Sequence, residues 1–304
     1  MRVSVVALAA LTALLTACTP PALVKLQEPL NEADKAEAVL LYLEQTEVAV
    51  DDVDVQQAGG GLIGVLIEGA IESTKTRNRQ EALAPLRDVL LDYDYEAQLI
   101  AALRNSLPTA MVRADAGFKI VRNEQELHDY LGKVVPANVL VVNTRYAFEQ
   151  EFDVAYVFAA VQLTRYEKVP APKSRSRRKR KATEEDKPLV LHAGAYSAQF
   201  VLSDPFARRK MGAFEGHALA WAADQAAPVR EAFTAALGEI ADLIRRDGNG
   251  EIPPPASGHL RAYLANPYMA PMTVRTEAVE QTSERSLLKF GQHLASVDNR
   301  QIKR

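Results

Sequence analysis

VLVVNTRYAF at Val139–Phe148 is followed, after Glu149-Gln150-Glu151-Phe152-Asp153, by VAYVFAAVQLTRY at Val154–Tyr166, and these two runs decide the fold. Both are rich in β-branched and aromatic residues, the types that fit a pleated, packed surface. A short acidic turn between two such runs predicts an antiparallel hairpin. Working outward, LVLHAGAYSAQFVL at Leu189–Leu202 predicts a third strand, with Tyr196, Ala198, Phe200 and Leu202 on one face and Ser197 and Gln199 on the other. That alternation is expected of a strand buried on one side and polar on the other.

Helical spacing flanks this core. Leu83, Leu86, Val89 and Leu90, then Leu99, Ile100, Leu103 and Leu107, recur at three and four residues and predict two helices broken near Asp92-Tyr93-Asp94. Ala226, Val229, Phe233, Ala236, Leu237, Ile240, Leu243 and Ile244 predict a third, with Pro228 near its start and Asp247-Gly248 after its end. Ala38–Leu43 and the alternating Glu47–Val55 read as a strand pair, Phe118–Val121 as a short strand and Glu124–Leu131 as a turn or two of helix. From Ile252 the prolines and mixed polar residues suggest a peripheral tail, with Ser286–Val297 as one strand pair bent at Gly291. Strands, helices, a hairpin, a further strand and a covering helix make a mixed α/β (α+β) domain whose sheet is largely antiparallel.

The chain has 304 residues, 48% apolar and 25% charged, enough to bury a sizeable core. A net charge of -3 excludes a globally basic nucleic-acid binder, and a single cysteine excludes an internal disulfide. The N-terminus reads MRVSVVALAALTALLTAC: one basic residue, Arg2, then an apolar run from Val3 to Leu15 too short to span a bilayer. This is the pattern of an export signal. An ordinary signal cut after Ala17 would leave a lone thiol at the mature terminus. Leu15-Thr16-Ala17-Cys18, however, resembles the lipobox of bacterial lipoproteins, in which the cysteine is lipidated and becomes the new N-terminus. The resemblance implies lipidation at Cys18 and, with Thr19 rather than Asp next, retention in the outer membrane of a Gram-negative envelope, facing the periplasm. The order of elements over Ala38–Arg246 is also similar to that of periplasmic α/β domains such as the curli-secretion-channel family and the N-terminal domain of TolB, a likeness that carries no site residues. The expected organisation is a signal peptide over residues 1–17, anchor and spacer over 18–37, an α/β domain over 38–250 with a basic loop at 168–188, and a C-terminal extension over 251–304.

Few segments suggest chemistry. Gly59-Gly60-Gly61-Leu62-Ile63-Gly64 spells G-x-G-x-x-G, but no second strand ending in an acid follows, so a turn into a small-residue helix fits better than a nucleotide cofactor. Lys173, Arg175, Arg177, Arg178, Lys179, Arg180 and Lys181 place seven positive charges within nine residues. Such a block is a solvated loop, or a patch that attracts anionic lipid or an acidic glycan; without interleaved aromatics it does not point to nucleic acid. His128, His192, His217, His259 and His293 do not form an H-E-x-x-H pattern, and no serine sits in G-x-S-x-G. A triad of distant Ser, His and Asp residues stays open, His217 lies near Asp224 in sequence, and Asp51-Asp52-Asp54 and Asp92-Asp94 suit glycan hydrolysis less simply than turns. Trp221 is expected in the packing. No catalytic, cofactor or metal residue is therefore assigned. The expected protein is a non-enzymatic, outer-membrane-anchored accessory factor of an envelope assembly, with a binding module for anionic lipid or glycan, or an envelope hydrolase, as alternatives. Its partners would be the membrane through the lipid and an envelope protein meeting the Gly59–Ile71 segment or the chain after Ile252, for instance at Leu62, Leu66 or Leu287.

Overall fold

The computed structural model describes residues 25–26, 30–43, 45, 47–50, 74–134, 137–166, 188–203, 205, 213–256, 258–267, 269–291 and 293–303. Cys18, the Gly59–Gly64 run, Leu62, Leu66, Asp51, Asp52, Asp54 and the basic residues from Lys173 to Lys181 lie outside the described residues. In chain order the strands are β1 (Ala36–Tyr42), β2 (Ala49–Val50), β3 (Val112–Val121), β4 (Ala137–Phe148), β5 (Val154–Tyr166), β6 (Leu189–Val201), β7 (Leu260–Asn266), β8 (Met269–Gln281), β9 (Arg285–Phe290), β10 (His293–Asp298) and β11 (Ile302–Lys303). The helices are α1 (Thr74–Leu90), α2 (Tyr95–Asn105), α3 (Glu124–Val134) and α4 (Ala213–Gly248). All strands join one sheet in the order β11-β7-β8-β9-β10-β6-β5-β4-β1-β3, with β2 also on β4. The expected mixed sheet, largely antiparallel and covered by helices, is what the chain forms.

The β4–β5 hairpin holds in register from Ala137 opposite Tyr166 to Phe148 opposite Ala155. Nearly every residue of both strands is buried, because the sheet is covered on both faces. Val39, Leu41, Leu140, Val142 and Val157 face α1, α2 and α4, and share one core with Leu83, Leu86, Leu99 and Phe233. Leu40, Tyr42, Val139 and Val141 face α3 through Leu127 and Leu131. Alternation along each strand therefore feeds two cores. Fully burying Leu83 and Leu86 contributes about 1.5–3 kcal/mol each, and Leu86→Ala would cost about 2–5 kcal/mol with the cavity it leaves.

Several expectations change in detail. β1 and β2 do not pair with each other; both lie parallel to β4, end to end. β3 extends back to Val112, with a register shift between Ala36 and Ala38 that leaves its first half looped away from β1. The face of β6 expected to be polar and solvated is buried: Ser197 and Gln199 are fully enclosed, and Gln199 satisfies both its amide groups on the backbone of Ala265.

The chain after residue 250, expected as a peripheral extension, instead supplies five strands. The strand pair bent at Gly291 is there as β9 and β10, and Gly291 sits at φ +60°, where glycine is favoured. β10 runs parallel to β6, β8 and β9 continue the sheet, and β11, one short helical turn beyond β10, pairs with β7. Ala262, Leu264, Val274, Leu288, Ala295 and Val297 form a further buried cluster of their own among these strands. Leu287 belongs to the core and presents no surface to a partner.

α4 is two helices in one. Ala223 is extended and Asp224, Gln225 and Ala226 are left-handed, at φ +49°, +59° and +62°. Pro228 accounts for the position: it donates no hydrogen bond to Asp224, and its ring would strike that carbonyl in a continuous helix. The second half, running to the sheet's far end, is the covering helix that the spacing from Ala226 predicted.

Candidate functional site

The strand directions define two ends of the sheet. Ala36, Val112, Ala137, Tyr166 and Leu189 mark one end; Tyr42, Val121, the β4–β5 turn and Val201 mark the other. β6 spans them, a rise of about 40 Å. Each end holds a cluster of buried polar side chains.

At the first end, His192, Gly194 and Tyr196 follow at intervals of two on the face of β6 that meets α4. A Cβ on Gly194 would lie 2.1 Å from the Tyr196 hydroxyl, so glycine here lets the ring lie back along the strand. The hydroxyl donates to Asp247 Oδ2 at 2.7 Å and lies 3.3 Å from His192 Nε2. Asp247, in the last turn of α4, also pairs with Lys25. Gly248 lets this turn approach Met111 and Pro108, where a Cβ would meet Met111 Cε at 2.4 Å.

Burial pushes His192 down to about 4, opposed by the attraction of Asp247 and aided by Lys25, so its ring is neutral at pH 7. Tyr196 is raised well above its usual range by burial and by the Asp247 carboxylate. The hydrogen bonds assign Nε2–H to His192, donating to the tyrosine oxygen. Its Nδ1 is buried with no hydrogen-bond partner among the described residues. A neutral imidazole and a phenol this hard to ionise make a structural relay from β6 to α4, not an acid or base poised near neutrality.

At the other end the β4–β5 turn is locked. Phe152 adopts φ +59°, its carbonyl accepts from Trp221 Nε1 at 2.8 Å, and Asp153 N donates to Glu149 Oε1 at 2.8 Å. Ser203 Oγ donates to Asp153 Oδ1 at 2.7 Å, and His217 Nδ1 lies 3.0 Å from that same oxygen and 2.8 Å from the Glu151 carbonyl. Serine, aspartate and histidine thus meet, but the carboxylate sits between the other two. A hydrolytic relay needs histidine between serine and aspartate. This arrangement binds the turn, the end of β6 and the first half of α4 together.

His217 therefore pairs with Asp153 and not with its sequence neighbour Asp224, which lies in the left-handed turn. Asp92 pairs with Arg230, and Asp94 caps α2 by accepting from Ala97 N at 2.9 Å, so both serve turns. Trp221 is buried against Phe148, as expected of a packing residue. His293 is buried beside Phe158 and likewise pushed down to about 4 by desolvation. Among the described residues no group of three or more His, Cys, Asp or Glu side chains is placed to hold a metal ion, and no helix is long and apolar enough to cross a membrane. Sequence reasoning missed the roles of Glu149, Asp153, Tyr196 and Asp247; the signal was acidic residues beside firm strands and a helix end and, for Tyr196, a place on one face of the third strand. Compared with protein-family models, with curated proteins and with solved structures, the chain matches none.

Proposed function

We propose that the protein is a lipid-anchored, periplasm-facing lipoprotein of a Gram-negative outer membrane that serves as a non-enzymatic accessory factor of an envelope assembly. The observation that carries this reading is where the folded body begins. Lys25 pairs with Asp247, and Leu26 and Leu30 pack on the main core, so only residues 19–24 separate Cys18 from the docked chain. A diacylglyceryl and N-acyl cysteine at that position would hold the domain stably at a surface, since more than one acyl chain is needed for lasting attachment. Confinement raises the effective concentration of the domain for other membrane proteins. The two polar clusters join structural elements, which favours the accessory role over the hydrolase alternative.

The test is the mass of the N-terminal peptide of the mature protein and its location after fractionation. Triacylated Cys18 in the outer-membrane fraction is expected, with Cys18→Ser leaving the chain unlipidated. An unmodified thiol on periplasmic protein from wild-type cells would overturn the reading.

A further inference from the structure

The two halves of α4 are held in different ways. Beyond the left-handed turn the helix is tied across the domain. Arg230 Nε donates to the Gln225 carbonyl at 3.1 Å, and its guanidinium pairs with Asp92 between α1 and α2. Glu239 accepts from Arg285 of β9 at 2.6 Å, and Asp247 accepts from Tyr196 of β6 at 2.7 Å. The polar ties of the first half converge instead on the β4–β5 turn. Trp221 Nε1 donates to the Phe152 carbonyl at 2.8 Å, and His217 Nδ1 lies 2.8 Å from the Glu151 carbonyl and 3.0 Å from Asp153 Oδ1. Trp221 lies over Phe148, with ring centroids 5.7 Å apart, and Phe148 is 5.4 Å from Phe152. Both phenylalanine rings are fully buried.

Every described non-glycine residue with a positive φ belongs to this joint. Phe152, beneath the first half, adopts φ +59°; Asp224, Gln225 and Ala226, behind it, adopt +49°, +59° and +62°. A side chain makes left-handed backbone unfavourable, and such conformations persist only where their surroundings impose them. The contacts that close the first half on the turn therefore hold strained backbone on both sides. Pro228 withholds the hydrogen bond that would continue the helical ladder to Asp224, and Ala223 is extended, so helical cooperativity does not pass from one half to the other.

We propose that the first half of α4, residues 213–222, is a cover that opens about residues 223–226 while the rest of the domain stays folded, uncovering the aromatic surface of Phe148 and Phe152. Relaxation of the strained backbone offsets part of the cost of withdrawing Trp221 and Ala218 from the core. The sheet stays intact, because β4, β5 and β6 pair through their own ladders and the second half of α4 keeps its ties to α1, β6 and β9. The cover goes beyond the accessory reading and stands whether or not Cys18 carries lipid.

The test is native-state hydrogen exchange of the full chain, read on peptides from the two halves of α4 at rising urea below the unfolding transition. Amides of residues 217–222 should exchange at least about tenfold faster than those of residues 236–244, and with a weaker urea dependence, as opening short of global unfolding requires. His217→Ala should speed exchange about tenfold more in the first half than in the second, and acrylamide quenching of Trp221, the one tryptophan of the chain, should rise at least about twofold. Gln225→Gly removes the left-handed penalty at one residue of the turn and should slow first-half exchange about threefold. Equal rates and equal urea slopes in both halves of the wild-type helix overturn the cover, as does a common acceleration of both halves by His217→Ala. First-half exchange that Gln225→Gly leaves unchanged or speeds up overturns the strained turn as its hinge.

Discussion

Tyr196 and Asp247 share a hydrogen bond of 2.7 Å that ties the middle strand β6 to the last turn of α4. It is the point where the sheet, the covering helix and the docked N-terminal segment meet, because the same Asp247 oxygen also takes Lys25. Tyr196→Phe removes the donor while Lys25 continues to pair with the carboxylate. The expected cost is about 1–3 kcal/mol, read as a lower urea midpoint with an unchanged slope. Gly194→Ala should cost a comparable amount, about 1–3 kcal/mol, because the new methyl must displace the tyrosine ring in a packed interior. Wild-type stability in both variants would mean that the relay contributes nothing to the fold.

The two buried histidines make the fold acid-sensitive. In the unfolded chain a histidine titrates near 6.5, and in the fold His192 and His293 are held down to about 4. Between these values the unfolded state binds more protons, so stability falls as pH drops below about 6.5 and the loss is complete below about 4. Each full shift is worth about 3 kcal/mol, and about 2 kcal/mol of it is already lost at pH 5. Urea midpoints measured from pH 7.5 to pH 5 should decline, and His293→Leu should flatten part of the decline. A profile unchanged by that substitution would place the proton uptake elsewhere.

The left-handed turn in α4 predicts substitutions of opposite sign within one helix. Gln225 is exposed at φ +59°, a conformation that costs a non-glycine residue about 1–2 kcal/mol. Gln225→Gly should therefore stabilise by up to about 1 kcal/mol after its larger unfolded-state entropy is subtracted. Glu231→Gly, exposed in the regular helix just beyond, should destabilise by about 1 kcal/mol. Thermal melts of the two variants should move in opposite directions.

What the sequence made legible follows from how local each signal is. The β4–β5 hairpin and the break between α1 and α2 show because β-branched runs, an acidic turn and Asp94 at a helix start act over a few residues. The five C-terminal strands were hidden because their buried positions, such as Ala262 and Ala295, are small, and because the pairing of β11 with β7 spans some forty residues. Gln199 looked solvent-facing because its partner is the backbone of Ala265, which leaves no mark in composition. The cluster around Asp153 was invisible for a related reason: His217 stands 64 positions from its partner, while Asp224 lies nearer in sequence and on the wrong side of a reversal in the helix.

Because Lys173 to Lys181 is read as acting on a surface and not in the core, replacing its seven positive residues should leave the melting temperature nearly unchanged. Exposed charges away from partners contribute little. A large loss would show that the segment is packed on the fold.

The cluster around Asp153 separates the accessory reading from a hydrolase. Both Ser203 Oγ and His217 Nδ1 lie on Asp153 Oδ1, at 2.7 and 3.0 Å, so histidine is not placed by these contacts to take the serine proton. As a structural lock, Ser203→Ala and His217→Ala should each cost about 0.5–3 kcal/mol, while Asp153→Ala should cost more because it removes the oxygen that Ser203 and His217 share and leaves His217 with the Glu151 carbonyl. In the Asp153→Ala background the serine substitution should then have almost no further effect, a coupling that a double-mutant cycle reads directly. Activated esters and cell-wall fragments should not be turned over by the purified wild-type protein above the rate in buffer. If they are, and Ser203→Ala removes that turnover while the melt stays near wild type, the serine is a nucleophile and the accessory role gives way to an enzymatic one.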